Sequence, residues 1–171
     1  MATPTTLPAS FTAGQVLTAA QMNALRGAFR VLQIAQATKN NVFSTTSASF
    51  VDITDLSVSI TPSATTSTIL VLANVQGSSS GGDASFRLLR DSTIIAVSAV
   101  GSFQGFAMAS STYQNQMFSG GVIFLDSPAT TSATTYKIQT IANGGTTYVN
   151  RRGVDAVFGG FSTITVMEIS A

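Results

Sequence analysis

The chain has 171 residues, a formal net charge of +1, and no cysteine, histidine or tryptophan. Those absences exclude a Ser-His-Asp triad, a Cys-His dyad and an ordinary zinc site. The eight basic residues are scattered rather than striped, which excludes a surface built to follow a nucleic-acid backbone.

Only 9% of residues are charged, against about 25% in ordinary soluble domains. Hydrophobic residues reach 44%, so the polar remainder is mostly Ser, Thr, Asn and Gln. That is the composition of β-sheet, whose wet faces favour Thr, and not of disorder, which needs low hydrophobicity and high charge. Few charges protect poorly against self-association, which points to a surface covered by partners. No apolar run reaches the roughly 20 residues that cross a bilayer, so no membrane insertion is expected. MATPTTLPAS lacks the basic start and apolar core of a signal peptide. The product is expected to stay in the cytosol or to leave inside something larger.

Residues 1–17 read as an extended arm, with Pro4 and Pro8 each disfavouring helix in the residue before. Thr18 and Gln21 then form a T-x-x-Q capping box, and Leu17 can staple onto Met22. Met22, Leu25, Phe29 and Leu32 follow at steps of three and four as one apolar stripe. A helix of about 13 residues containing Gly27 is too weak to stand without packing. The stripe is expected to lie on symmetry mates or a docking partner, with packing on its own β-domain as the plainer alternative. Residues 1–30 are thus an arm and anchoring helix, and residues 31–171 a β-domain.

From Val31 the period changes to two, and residues 31–37 read as a first strand. Val42-Phe43 and Phe50-Val51 lead into Leu56, Val58 and Ile60, which alternate with Ser57 and Ser59 as a half-buried strand. Thr61-Pro62 ends that run. Ile69 to Leu72 is continuously apolar, the pattern of a strand covered on both faces, and the two are expected to form a hairpin. Residues 76–83 read as a flexible loop, Phe86 to Arg90 as a strand turning at Asp91-Ser92 into Ile94 to Val97. Arg87 and Arg90 point to opposite faces, with at least one expected at an edge or paired with Asp91 or Asp83.

Residues 101–117 show no clean period and read as a long connection. Its Phe103, Phe106 and Tyr113, set among Gly, Ser, Gln and Asn, are candidates for an outward contact surface, against the plainer expectation that they tuck into the core. Val122 to Leu125 reads as another buried strand. Tyr136 to Ile141, the turn Asn143-Gly144-Gly145 and Thr147 to Val149 read as a hairpin, with Arg151 and Arg152 exposed after it. Ile164, Val166 and Ile169 form the seam of the closing strand. The sum is an all-β, jelly-roll-like antiparallel β-sandwich of about eight to ten strands, preceded by the extended arm and one short α-helix.

Asp52 and Asp55 invite a catalytic reading as a carboxylate pair, but without His in a hydroxyl-rich setting turn and edge roles weigh more. No catalytic residue, cofactor or metal site is expected. A carbohydrate-binding module is a more distant alternative, since glycan stacking platforms favour Trp and Tyr and only three Tyr are present.

Two blocks carry a resemblance: FTAGQVLTAAQMNAL (residues 11–25), and the β-domain segments FVDITDLSVSITPSATTSTILVL, FRLLRDST, FLDSPATTSATTYKIQ and TITVMEISA. Together they resemble short virion proteins of tailed bacteriophages, of the tail-fibre and appendage kind. The resemblance implies a homotrimer, located in the virion and made in the host cytoplasm. Residues 1–30 would bind other virion proteins, and an outward β-domain would face a host surface glycan or protein. A capsid decoration (cement) protein is the alternative within that class. In either case Met22, Leu25, Phe29 and Leu32 would lie at an oligomer or docking interface.

Overall fold

The computed structural model describes residues 13–14, 16–19, 21–22, 31–96, 98, 101, 104–110, 112 and 116–170. It is an antiparallel β-sandwich with eleven strands among the described residues, one more than the upper expectation. The strands are β1 (Val31–Lys39), β2 (Phe43–Thr45), β3 (Val51–Ile60), β4 (Thr68–Ser79), β5 (Asp83–Arg90), β6 (Thr93–Ile95), β7 (Ala107–Ser110), β8 (Phe118–Asp126), β9 (Thr134–Asn143), β10 (Thr147–Val149) and β11 (Ser162–Ile169). A six-stranded sheet runs β1-β11-β4-β10-β2 with β8 on the other side of β4. A five-stranded sheet runs β3-β9-β5-β6 with β7 also on β5.

Period-two alternation decides which residues meet between the sheets. Leu56, Val58 and Ile60 of β3 face inward as their alternation requires, and Ile53 joins them across a register shift between Asp52 and Ser57. Asp55 sits at that shift with φ 65°, a left-handed conformation that Asp tolerates better than most residues. Val71 and Val75 of β4, Phe86 and Leu88 of β5, Ile138 of β9, and Ile164 and Val166 of β11 complete the layer.

Two expected hairpins are absent. β3 and β4 belong to different sheets, as do β9 and β10. The turn after β9 uses Gly144 and Gly145 at φ 87° and 66°, the positive values read from the sequence, but it carries the chain between layers. The reason is packing: both β3 and β4 need partners for inward apolar faces, and opposite layers supply them. Residues 76–83 are not all loop either, since β4 continues to Ser79 and pairs its last residues with β10. The turn that follows nests against the β9–β10 turn. A Cβ on Gly82 would fall 1.8 Å from the Asn143 carbonyl oxygen, so nothing larger fits. Residues 101–117 hold the short strand β7, paired with β5. The Asp91-Ser92 turn joins β5 and β6 as an antiparallel pair, as expected.

Buried polar groups close the ends of the apolar layer. Glu168, Ile69 and Asp126 are neighbours across β11, β4 and β8, so two carboxylates flank one end. Asp126 accepts from Arg90 of β5 at 2.8 Å and from the Tyr136 hydroxyl of β9 at 2.6 Å, tying the two sheets together. Burial, together with the adjacent Asp126 carboxylate, pushes the Tyr136 phenol up, so it stays a donor. Arg90 therefore pairs with Asp126 rather than with Asp91 or Asp83. Glu168, where the sequence reading placed only an apolar seam, is fully buried. It accepts from the Ser63 amide at 2.7 Å, the Ser63 hydroxyl at 2.6 Å and the Gln33 amide at 2.6 Å.

At the other end, buried Asn150 donates to the carbonyls of Lys39 and Asn41 and accepts from Ser162. Buried Lys39 donates to Asn41 and Thr54 and lies 3.5 Å from Asp55. Every described buried side-chain nitrogen and oxygen has a partner.

Burial raises the Glu168 pKa, but the donors of Ser63, Gln33 and Ser67 outweigh it and hold the group at about 2, below its ordinary 4.5. A carboxylate depressed on folding adds stability above its unfolded pKa and loses it as pH falls toward the folded value. The melting temperature should therefore drop between pH 4.5 and pH 2. It should drop less steeply over that window in Glu168→Gln, which does not titrate. Glu168→Ala should cost about 1.5–3 kcal/mol by removing the charge-assisted hydrogen bonds from Ser63, Gln33 and Ser67, measured as a lower urea midpoint with unchanged slope.

Candidate assembly surface

The two outer faces of the sandwich differ in chemistry. On the five-stranded sheet, β3 and β9 place Asp52 beside Lys137 and Gln139, with Lys137 Nζ 2.8 Å and Gln139 Nε2 2.6 Å from the carboxylate. Arg87 of the adjacent β5 donates to Gln139 Oε1 at 2.9 Å and 2.6 Å and stacks 3.7 Å above the Phe50 ring centroid. These are ordinary interactions of a solvated face.

The outer face of the six-stranded sheet, over β1, β11, β4 and β8, carries no charged residue at its described positions. One row across it is entirely apolar: Ile34, Met167, Leu70 and Leu125 are successive neighbours on the four strands. The next row runs Gln36, Thr165, Leu72 and Ile123. Ile123 is 76% exposed, Ile34 59% and Leu125 57%. This corrects two expectations. The apolar runs of β4 and β8 were read as buried strands, β4 covered on both faces, yet the described residues cover only one face of each. β8 pairs with β4 alone among the described residues and is an edge strand.

A shallow trough crosses this face. One part, of about 450 Å³, lies between Leu72, Ile123, Thr163 and Thr165. It shares Asn74 and Thr163 with a second part of about 410 Å³ that ends at Phe161 and Met117. Gly121 opens the space: it faces outward on β8 with no side chain, and a Cβ there would meet only the Ala73 carbonyl oxygen at 3.7 Å.

Of the interface residues read from the sequence, Met22 and Leu32 are exposed, at 48% and 42%. Leu25 and Phe29 lie outside the described residues. The capping box is formed: the Thr18 amide donates to Gln21 Oε1 at 2.9 Å and the Gln21 amide to Thr18 Oγ1 at 3.2 Å. The Met22 amide donates to the Thr18 carbonyl at 3.0 Å, the first helical hydrogen bond. Of the proposed contact loop, Phe106 is partly buried and packs on the core, while Phe103 and Tyr113 lie outside the described residues.

The β10–β11 loop is a surface feature the sequence reading missed. Val154, Val157 and Phe158 are exposed there. The loop is held by an Arg152–Asp155 ion pair, by Asp155 accepting from the Val157 amide at 2.9 Å, and by Arg152 stacked 4.6 Å from the Phe158 ring centroid. The signal was three large apolar residues between Gly153 and Gly159, where a solvated turn would carry none. Arg151 and Arg152, expected to be exposed, are half-buried.

Among the described residues no group of three or more His, Asp or Glu gathers as a metal site, and no helix is long and apolar enough to cross a membrane. The class the fold defines is an all-β, jelly-roll-like sandwich. No family model matches the chain, and no characterised protein does at the sequence level. Among solved structures it is similar to the VP2 subviral particle of infectious bursal disease virus, with 16% identity and a TM-score of 0.37, over 80% of this chain and 40% of that one. A structure of the Gx strain of infectious bursal disease virus is similar at 17% identity and a TM-score of 0.36, over 82% of this chain and 38% of that one. The chain thus spans about two fifths of the length of these structures.

Because Ile123 and Leu125 contribute little to the chain's own core, Ile123→Ser and Leu125→Ser should change the stability of the dissociated subunit by less than about 0.5 kcal/mol. Urea titration at a concentration where the chain is monomeric checks this. Val166→Ser, on the inner face, should cost several times more.

Proposed function

We propose that this chain is a non-enzymatic structural subunit of a virion, the tail fibre or appendage protein of a tailed bacteriophage, assembled as a homotrimer. The N-terminal segment attaches it to the particle and the β-domain faces outward to the host surface. The observation that carries this reading is the uncharged outer face of the six-stranded sheet, crossed by the apolar row Ile34, Met167, Leu70 and Leu125. Contiguous exposed apolar side chains of this kind mark interaction sites. The charged and ion-paired face of the five-stranded sheet is the natural wet side of the same subunit.

The carboxylates support a structural role. Asp52, Asp126, Asp155 and Glu168 are each engaged by neighbouring donors in the scaffold, whereas acid–base chemistry on a glycan needs two carboxyl groups free to face a sugar. The motifs resembling phage appendage proteins supply the particular class.

Light scattering on purified protein should report about three times the 17.6 kDa subunit mass. Ile123→Lys and Leu125→Lys should shift it to the monomer, and Lys137→Ala on the opposite face should not. A stable wild-type monomer at micromolar concentration would overturn the reading. Electron microscopy of particles carrying labelled protein should place the label on the tail; label spread over the capsid shell would instead assign a cement role.

A further inference from the structure

We propose that the trough on the six-stranded sheet is the seat of the N-terminal helical segment of a second copy of this chain. The proposal rests on the reading of the protein as a self-assembling subunit and names the contact that holds two subunits together.

The segment and the trough match in chemistry and in size. A helix begins at Thr18 with its capping box closed, and its stripe continues in sequence through Leu25 and Phe29. Carried on as helix once seated, the stripe from Met22 to Phe29 would span about 10 Å. The trough follows β4 from Leu72 to Gln76, about 13 Å at strand rise. Its lining has no charge, and the stripe presents none. An amphipathic helix laying its apolar side into a groove is a common mode of recognition.

Two observations make the occupant a second copy. Within one chain, Leu17 and Met22 remain 42% and 48% exposed while Ile123 remains 76% exposed, so both members of the pair stay partly open to water in the isolated subunit. The segment also leads directly into β1, the edge strand of the same sheet. It therefore leaves each subunit at the border of the face it would occupy on the next, and an exchange of arms follows without unfolding either domain.

The chain has no cysteine, so single introduced thiols report contacts cleanly. Met22→Cys and Ile123→Cys proteins, mixed and oxidised, should give a disulfide-linked dimer at least tenfold above either variant alone. Adding Gly121→Val to the Ile123→Cys chain fills the trough where there is room for a side chain, and should lower that yield about tenfold with an unchanged melting temperature. The doubly substituted chain forming only an internal disulfide would overturn the proposal, placing the segment on its own sheet. So would a wild-type oligomer whose mixed variants do not cross-link, or Met22→Cys linking to itself just as well. In each of those cases the oligomer, and with it the functional reading, would stand; a wild-type monomer would overturn both.

Discussion

The sandwich depends on the row formed by Glu168, Ile69 and Asp126. A buried carboxylate is costly unless it is fully hydrogen-bonded, and both of these are. Asp126 takes its donors from β5 and β9 of the opposite sheet. Glu168 takes its donors from the β3–β4 link and from β1. An apolar layer alone tolerates sliding, because its contacts are non-directional. Two carboxylates with fixed donors set the height of one sheet against the other. At the far end Asn150 acts within the six-stranded sheet, tying the chain after β10 to Ser162 of β11 and to the carbonyls of Lys39 and Asn41.

With both ends of the layer closed by satisfied polar groups, the remaining imbalance lies on the outside. Burial of an exposed aliphatic side chain is worth about 1.5–3 kcal/mol, and the row Ile34, Met167, Leu70 and Leu125, with Leu72 and Ile123 beside it, holds six such side chains in partial or full contact with water. The opposite face shows that the fold itself requires nothing of the kind, since Asp52, Lys137 and Arg87 occupy equivalent outward positions there. The difference between the faces is a matter of side-chain chemistry and not of architecture.

Much of the fold was legible because period two is a local property. Ser57 and Ser59 against Val58 and Ile60 gave the faces of β3 directly, and the capping box at Thr18 marked the helix start. Sheet membership was not legible. Whether β4 follows β3 in the same layer or in the opposite one depends on partners distant in sequence, such as β11 and β9. Glu168 was misjudged for a related reason. A carboxylate between Met167 and Ile169 reads as an outward interruption until Ser63 and Gln33 are brought to it, 105 and 135 residues away. The Asp126 partner of Arg90 is likewise fixed by tertiary placement, and only the alternation that turns Arg90 inward was local.

The most informative misreading concerns β4 and β8. A continuously apolar strand implies cover on both faces, and Ile69 to Leu72 and Val122 to Leu125 satisfy that pattern, yet the described residues cover one face of each. On the proposed assembly reading, the pattern reflects cover supplied by another chain. An uncharged face also constrains its partner: without charges to pair, recognition there depends on shape and apolar burial, and a charged partner surface would lose its hydration without recompense. A weakly charged copy of the same chain, the partner proposed above, would meet that condition. Gly121 then takes on a meaning beyond the sheet. Among the described residues a Cβ there would meet only the Ala73 carbonyl oxygen at 3.7 Å, so on the proposed reading the space is left for the segment that lies across it.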